Sequence, residues 1–472
     1  MDISIIYSLI AIFLPLFFGI YLLNARIRLS LVPRNILNCG LVFINSISLS
    51  LFLYLYYFVV KNSQDILSQV NIFTINKLAF NIGIDINESN LKFIIFTSLV
   101  YLFISLYSVF YFGKKKQYIF TKQRFYIFLS FLIFNTFIFL ASSNLFQSLV
   151  FWILQGVIIF IFAYFDIFKF PTNFNITRFQ RISLIGDFSF IFAILILFKY
   201  VVLSKDYIHS LALDLSELNE IMSYVFGISE NIEFKLCTIF LLIAIMSKMF
   251  IFPLSCYYSF FANSSNIFYL SIVACANSVF GAYVFIKALP FFDLLNNYGI
   301  WVCGFILLTV LLCFISIFFE KSFKIIFGYL YSIYAASFVV AYYYLRSDIV
   351  IYAYFLISFV TLLILMSLFI NDKVNLNKRL INKTKGFMLE RTHILFFEVI
   401  PLKIFKILNF IDEKIVQNFV EFIMAIFSYL ISLFNIKTIK NDSIKAIRNI
   451  LIIIAFFALL AIFIALFGRY RW

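Results

Sequence analysis

The chain is 472 residues long, 64% hydrophobic and 12% charged, with a net charge of +15. A soluble domain carries about 25% charged residues, so this composition, with a mean hydropathy of +1.04, excludes a water-covered globular surface. The positive excess is assigned to loops that set topology and meet anionic lipid, not to nucleic-acid binding.

Apolar runs recur from end to end, and each of about 20 residues can cross about 30 Å of hydrocarbon. In lipid only helices and closed barrels satisfy their own backbone polar groups. These runs are continuous and lack the in-out alternation of barrel strands, which runs over segments of about 10 residues. The expected fold is therefore all-α, a polytopic transmembrane bundle. In chain order, spans are expected near 3–23, 36–60, 92–112, 125–142, 145–165, 181–203, 235–258, 267–288, 299–318, 323–345, 349–370 and 449–468, twelve in all. The first run lacks a basic leader and a small-residue cleavage site, so it reads as a retained helix.

Loop charge alternates along this order. Basic clusters follow span 1 (Arg26, Arg28, Arg34), span 3 (Lys114, Lys115, Lys116, Lys122, Arg124), span 5 (Lys169, Arg178, Arg181), span 9 (Lys321, Lys324) and span 11 (Lys373, Lys378, Arg379, Lys383, Lys385). The connection after span 6 is acidic, with Asp206, Asp214, Glu217, Glu220, Glu230 and Glu233. The positive-inside rule then puts odd-numbered connections in the cytoplasm and both termini outside. Residues 1–370 form the expected transmembrane bundle. Residues 371–447 form a cytoplasmic-side amphipathic lateral segment, in which Lys403, Lys406, Asp412, Glu413 and Lys414 stand among apolar residues. Residues 448–472 carry the last transmembrane helix. Whether 419–435 dips into the membrane or spans it stays open.

Metal and disulfide chemistry find little support. The six cysteines, Cys39, Cys237, Cys256, Cys275, Cys303 and Cys313, all fall in apolar spans with no C-x-x-C pair. His209 and His393 stand far apart. No cofactor and no metal are expected. The abundance of Phe, Ile, Asn and Lys fits an AT-rich genome. The expected location is the inner (plasma) membrane of a bacterium, with the mitochondrial inner membrane as the alternative.

Ionisable groups inside apolar spans are costly and mark cavities or partners. Lys248 lies in the middle of span 7, in Ile245-Met246-Ser247-Lys248-Met249-Phe250. Pro253, five residues later, removes a backbone donor and predicts a broken helix there. Asp187, about two turns into span 6, is the natural counter-charge, and Arg181 lies nearer the cytoplasmic end. A purely structural role stays open for both, and Gln155 in span 5 also reads as an interhelical hydrogen bonder.

These residues carry a resemblance. Ser247-Lys248-Met249-Phe250-Ile251-Phe252-Pro253-Leu254-Ser255 resembles the G-K-S-A-Q-L-P-L-H of the antiporter-like proton channel subunits of respiratory complex I, above all NADH dehydrogenase subunit 5, and of Mrp-type sodium/proton antiporters. Gly281-Ala282-Tyr283-Val284 falls on the family's G-V-Y-L, and Ile185-Gly186-Asp187-Phe188 on its V-G-D motif. Ser322 to Ser332 is similar to D-I-K-x-x-L-A-Y-S-T-x-S, Phe80 to Asp85 to the family's extracytoplasmic hairpin, and Asn409 to Ile415 to the approach to its lateral helix.

The resemblance implies a divergent, shortened membrane subunit of an NADH:quinone oxidoreductase or Mrp assembly, involved in or derived from proton (or sodium) translocation. Such a subunit carries no redox chemistry in its own chain. Its implied partners are the lipid bilayer and other complex I or Mrp membrane subunits. Lys248 and Asp187 become proton-relay candidates, with Pro253 and Gly281 structural. Departures matter equally. Gln155, in Leu154-Gln155-Gly156-Val157, takes the position of the family glutamate and cannot exchange a proton. The family histidine falls on Val273, and the H-A-F-F-K-A segment on Leu356 to Thr361, without its His and Lys. The later channel helices are expected to be missing. The alternative is a non-transporting structural or assembly membrane protein that has lost the relay.

Overall fold

The computed structural model describes residues 3–27, 34–62, 65–75, 78–114, 119–164, 173–203, 232–251, 254, 267–293, 297–319 and 323–370. These belong to the first of two compact units, Met1–His393 and Ile394–Trp472. In chain order the elements are α1 (Ile3–Ile27), α2 (Arg34–Asn62), β1 (Ile66–Ile75), β2 (Leu78–Ile86), α3 (Glu88–Lys114), α4 (Ile119–Leu140), α5 (Leu145–Tyr164) and α6 (Asn173–Leu203). Then come α7 (Ile232–Met249), α8 (Ile267–Lys287), the short α9 (Leu289–Asp293), α10 (Asn297–Phe319), α11 (Phe323–Leu345) and α12 (Asp348–Ile370).

A helix overlaps each expected span from 3–23 to 349–370. The span at 449–468, the lateral segment 371–447 and Pro253 lie outside the described residues. Among the described residues α1 to α4 are long and apolar enough to cross a membrane, and shorter apolar stretches lie in α5, α6, α10 and α12.

Burial has the polarity a bilayer demands. Ser48, Asn45, Asn135 and Gln155 are fully buried, while Phe17, Phe43 and Leu356 are each 66% exposed. Polar groups turn inward because lipid offers them no hydrogen bonds. Many serines satisfy themselves on the preceding turn, as Ser247 Oγ does by donating to Ala244 O at 2.8 Å.

One detail differs from the expectation. The chain is not purely helical, because β1 and β2 form an antiparallel hairpin from Ile66↔Ile86 to Ile75↔Leu78. Its register shifts between Asn71 and Phe73, as at a β-bulge. The hairpin docks on the α4–α5 connection: Asp85 N–H donates to Ala141 O at 2.9 Å, and Gly83 N–H to Gln147 Oε1 at 3.0 Å. These bonds occupy backbone donors on a strand edge that would otherwise be unpaired. Side-chain caps start the flanking helices. Asn90 N–H donates to Asn87 Oδ1 at 2.9 Å before α3, and Gln147 N–H to Asn144 Oδ1 at 2.7 Å before α5.

Helix α7 ends at Met249, inside the expected span 235–258 and four residues before Pro253. Phe250 takes a left-handed backbone, φ 58°, and Ile251 N–H donates to Met246 O at 3.0 Å. That bond is the six-to-one closure of a Schellman cap, here with Phe where Gly is usual. A bulky residue in this region costs about 1–2 kcal/mol, which surrounding packing must offset.

Helix α8 is the hub of the described bundle. It packs on α7, α11 and α12 and also touches α3, α4 and α5. Helix α7 lies between α6 and α8.

Candidate functional site: a buried lysine–aspartate pair

Three helices build this site. On α5, Trp152, Gln155 and Gly156 recur at the three- and four-residue spacing of one helix face. On α6, Ser183, Gly186, Asp187 and Phe190 do the same. Helix α7 contributes Ser247, Lys248 and Met249 from its last turn.

Glycines set how closely these helices approach. A side chain at Gly186 would collide with the Ser247 side chain, and one at Gly281 of α8 with Met249. The turn bearing Lys248 is thus held from both sides by missing side chains. At this depth Lys248 Nζ stands 3.0 Å from Asp187 Oδ1, with the two side chains 1% and 7% exposed. The Trp152 ring centroid lies 4.9 Å from the ammonium, within cation–π range. A Cβ on Gly156 would stand 3.1 Å from Asp187 Oδ2 and 3.7 Å from Lys248 Nζ. The bare α-carbon of Gly156 is therefore what lets the pair lie against α5.

The helix end adds a further interaction. Lys248 is the last residue but one of α7. The final carbonyls of a helix carry partial negative charge, which favours a cation in the last turn. An ion pair this deep balances lost hydration against mutual attraction. Changing the protonation of either partner removes that attraction and leaves the other charge without compensation.

Gln155 behaves differently from the pair. Its Oε1 accepts from Asn135 Nδ2 of α4 at 2.9 Å, and the same amide nitrogen donates to Phe151 O at 3.0 Å. Gln155 Nε2 has no hydrogen-bond partner among the described residues. No metal-ligating cluster of His, Cys, Asp and Glu occurs among the described residues.

Gly156→Val is expected to drive the Asp187 carboxylate away from α5 and to cost about 1–3 kcal/mol through overpacking. The thermal midpoint of the detergent-solubilised protein reads this, and an unshifted midpoint would contradict the close approach.

No protein-family model and no curated protein matches the sequence. Solved structures do match the fold. A chain of the membrane-bound sulfane sulfur reductase, an archaeal respiratory membrane complex, aligns at TM-score 0.60 and 16% identity over 76% of this chain. A chain of respiratory complex I from Thermus thermophilus aligns at TM-score 0.59 and 14% identity over 77%. A chain of the Mrp complex from Dietzia sp. DQ12-45-1b aligns at TM-score 0.56 and 12% identity over 78%.

This is the antiporter-like subunit fold.

The chain spans 56% of the sulfane sulfur reductase subunit, 71% of the complex I subunit and 37% of the Mrp subunit. At such identities the antiporter-like backbone is shared while most side chains differ, so the chemistry must be argued from this chain's own residues.

The structure brings Lys248 and Asp187 together and stations Gly281 against Met249 on the same turn. It places Gln155 on the same face of α5 as Gly156 but bonds its carboxamide to α4. Sequence reasoning missed Trp152 and Asn135, and assigned no role to Gly156, Gly186 or Ser247. A signal existed for some of them. Gly156 and Trp152 stand one turn apart, and Gly186 adjoins Asp187, so small residues flank each candidate polar group. Asn135 had no signal, since one Asn in an apolar run is ordinary.

Proposed function

We propose that this chain is a membrane subunit of an ion-translocating assembly of the complex I or Mrp kind, with Lys248 and Asp187 as its central proton-responsive pair. One observation carries the reading: a 3.0 Å lysine–aspartate contact at 1% and 7% exposure, on the last turn of a helix that ends inside the bundle. Lys248 holds or releases the proton. Asp187 supplies the charge that a glutamate on α5 supplies in the family, and Gln155 occupies that glutamate's position without titrating. Trp152 floors the pair and excludes water from one side. The full chain comprises twelve spans, with α7 as one half of a broken helix, a lateral segment at 371–447 and a last helix at 448–472. It resides in a bacterial inner membrane, or in the mitochondrial inner membrane, beside other subunits of the assembly.

In sealed vesicles containing the full-length chain in its native assembly, Lys248→Ala is expected to abolish coupled proton or sodium movement. Flux equal to wild type would sink the translocating role.

A second reading is a non-transporting structural or assembly subunit. The Gln155–Asn135 bond favours it, because the position that titrates in the family is here neutral and tied to a neighbouring helix. Wild-type vesicles that conduct no ion, with the chain still present in the purified assembly, would select this reading.

A further inference from the structure

Asp85 is the joint between the hairpin and the bundle. It stands next to the last residue of β2, and both of its backbone groups bond away from the hairpin. Its N–H donates to Ala141 O at 2.9 Å, and its carbonyl accepts from Asn90 Nδ2 of α3 at 3.0 Å. Two residues back, Gly83 N–H donates to Gln147 Oε1 at 3.0 Å. Amides two apart on a strand point to the same edge. Strand β1 takes one edge of β2, and the edge bearing Gly83 and Asp85 meets the start of α5 and the connection before it, where Ile84 also pairs with Ser142.

The joint reaches the hub helix. Asn90 Oδ1 accepts from the Tyr283 hydroxyl of α8 at 3.1 Å. Tyr283 stands two residues beyond Gly281, which abuts Met249 beside Lys248. The hairpin is thus tied to the stretch of α8 that holds the Lys248 turn.

The Asp85 side chain conflicts with this position. It is 5% exposed. Among the described residues its carboxyl has one hydrogen-bonding neighbour, Asn87 Nδ2 at 3.5 Å, the outer limit of such a bond. It makes no direct ion pair among them. A carboxylate so placed has left water without gaining donors. Burial pushes the Asp85 carboxyl above the usual carboxylate range, the charge of Lys287 on α8 opposes that rise, and Asp65 just before β1 reinforces it. The other elements packed on Asp85 add no free charge. The start of α3 offers neutral Asn87 and Asn90, while Glu88 and Lys92 pair with each other and Lys92 with Asp348. The connection from Ala141 to Asn144 and Gln147 of α5 are uncharged.

We infer that the hairpin is a pH-sensitive latch, docked on the bundle while Asp85 is protonated and loosened once Asp85 ionises. Undocked, the carboxyl meets water and ionises in the ordinary range. Docked, it ionises only by leaving a charge beside one weak donor. Docking therefore takes up a proton. It is strongest below the ordinary carboxylate range and weakens as pH rises from there to the raised docked value, by up to about tenfold per pH unit. Above the docked value it falls no further, and the attraction of Lys287 supports what remains. Only O–H bonds form or break. The latch senses pH on the hairpin's side of the membrane and is independent of ion movement at the Lys248 pair.

Hydrogen–deuterium exchange of the full-length chain in lipid nanodiscs tests the latch. The readout is the protection factor of the Gly83 and Asp85 amides, which normalises the intrinsic pH dependence of exchange. Between about pH 4 and about pH 8, wild-type protection is expected to fall by about tenfold or more. Asp85→Asn keeps the shape without titrating and is expected to hold the wild-type acid-pH protection throughout. Lys287→Met removes the opposing attraction and is expected to extend the loss to higher pH, and it serves as the second variant should Asp85→Asn fail to fold. A wild-type protection factor that stays level across the range overturns the latch. So does a fall shared by Asp85→Asn or by amides in the middle of α3, or a fall that ends at lower pH in Lys287→Met than in wild type.

Discussion

Removing one member of the Lys248–Asp187 pair is expected to cost more stability than removing both. Lys248→Met leaves the Asp187 carboxylate buried without its 3.0 Å partner. Breaking a buried pair in this way costs about 3–5 kcal/mol, whereas apolar replacement of both partners is often close to neutral. The double variant Lys248→Met with Asp187→Leu should therefore lie well above either single variant in thermal midpoint, and a double-mutant cycle gives the coupling directly. Additive losses would mean that the two groups do not compensate one another. Flux separates the functional question, since the double variant is expected to be stable and inactive. A stable, inactive variant cannot owe its inactivity to misfolding.

The second large effect is expected at Gly186. Its α-carbon faces the Ser247 side chain so closely that an added methyl would overlap Ser247 Cβ as well as Oγ. Rotating a hydroxyl cannot relieve a clash with Cβ, so α6 and α7 must separate. Gly186→Ala is expected to cost about 1–3 kcal/mol and to pull Asp187 away from Lys248, because the two contacts sit on neighbouring residues of the same two helices. Ser247→Gly in the same chain removes the overlapping atoms and should restore much of the midpoint and of the flux. Failure of that rescue would show that the loss came from elsewhere than this contact, and not from helix propensity, which favours Ala over Gly by about 1 kcal/mol.

Much of the helical bundle was legible because hydropathy is local. A run of apolar residues declares its own preference for lipid wherever the rest of the chain lies, and helices occupy the expected runs from 3–23 to 349–370. Lys248 and Asp187 were legible for the same reason, since a charge inside such a run is visible without a fold. The hairpin was harder to see. Strands Ile66–Ile75 and Leu78–Ile86 lie between two apolar helices, and only the Phe80 to Asp85 stretch suggested them. Pro253 pointed to a break in span 7, and α7 ends at Met249, four residues before it, but the turn itself falls on Phe250, a residue with no intrinsic preference for the left-handed region.

Composition and pattern established a membrane-embedded helical chain with a deep lysine and a candidate counter-charge. The fold alone settled that they meet, that Trp152 and Gly156 form the surface beneath them, and that Gln155 bonds to Asn135. These outcomes depend on how each helix is rotated and how near its neighbour it comes. Rotation and approach are set by which α-carbons lack side chains at the crossing, as at Gly186 and Gly281. Close packing transmits such contacts between residues remote in the chain, and no periodicity within one helix records them.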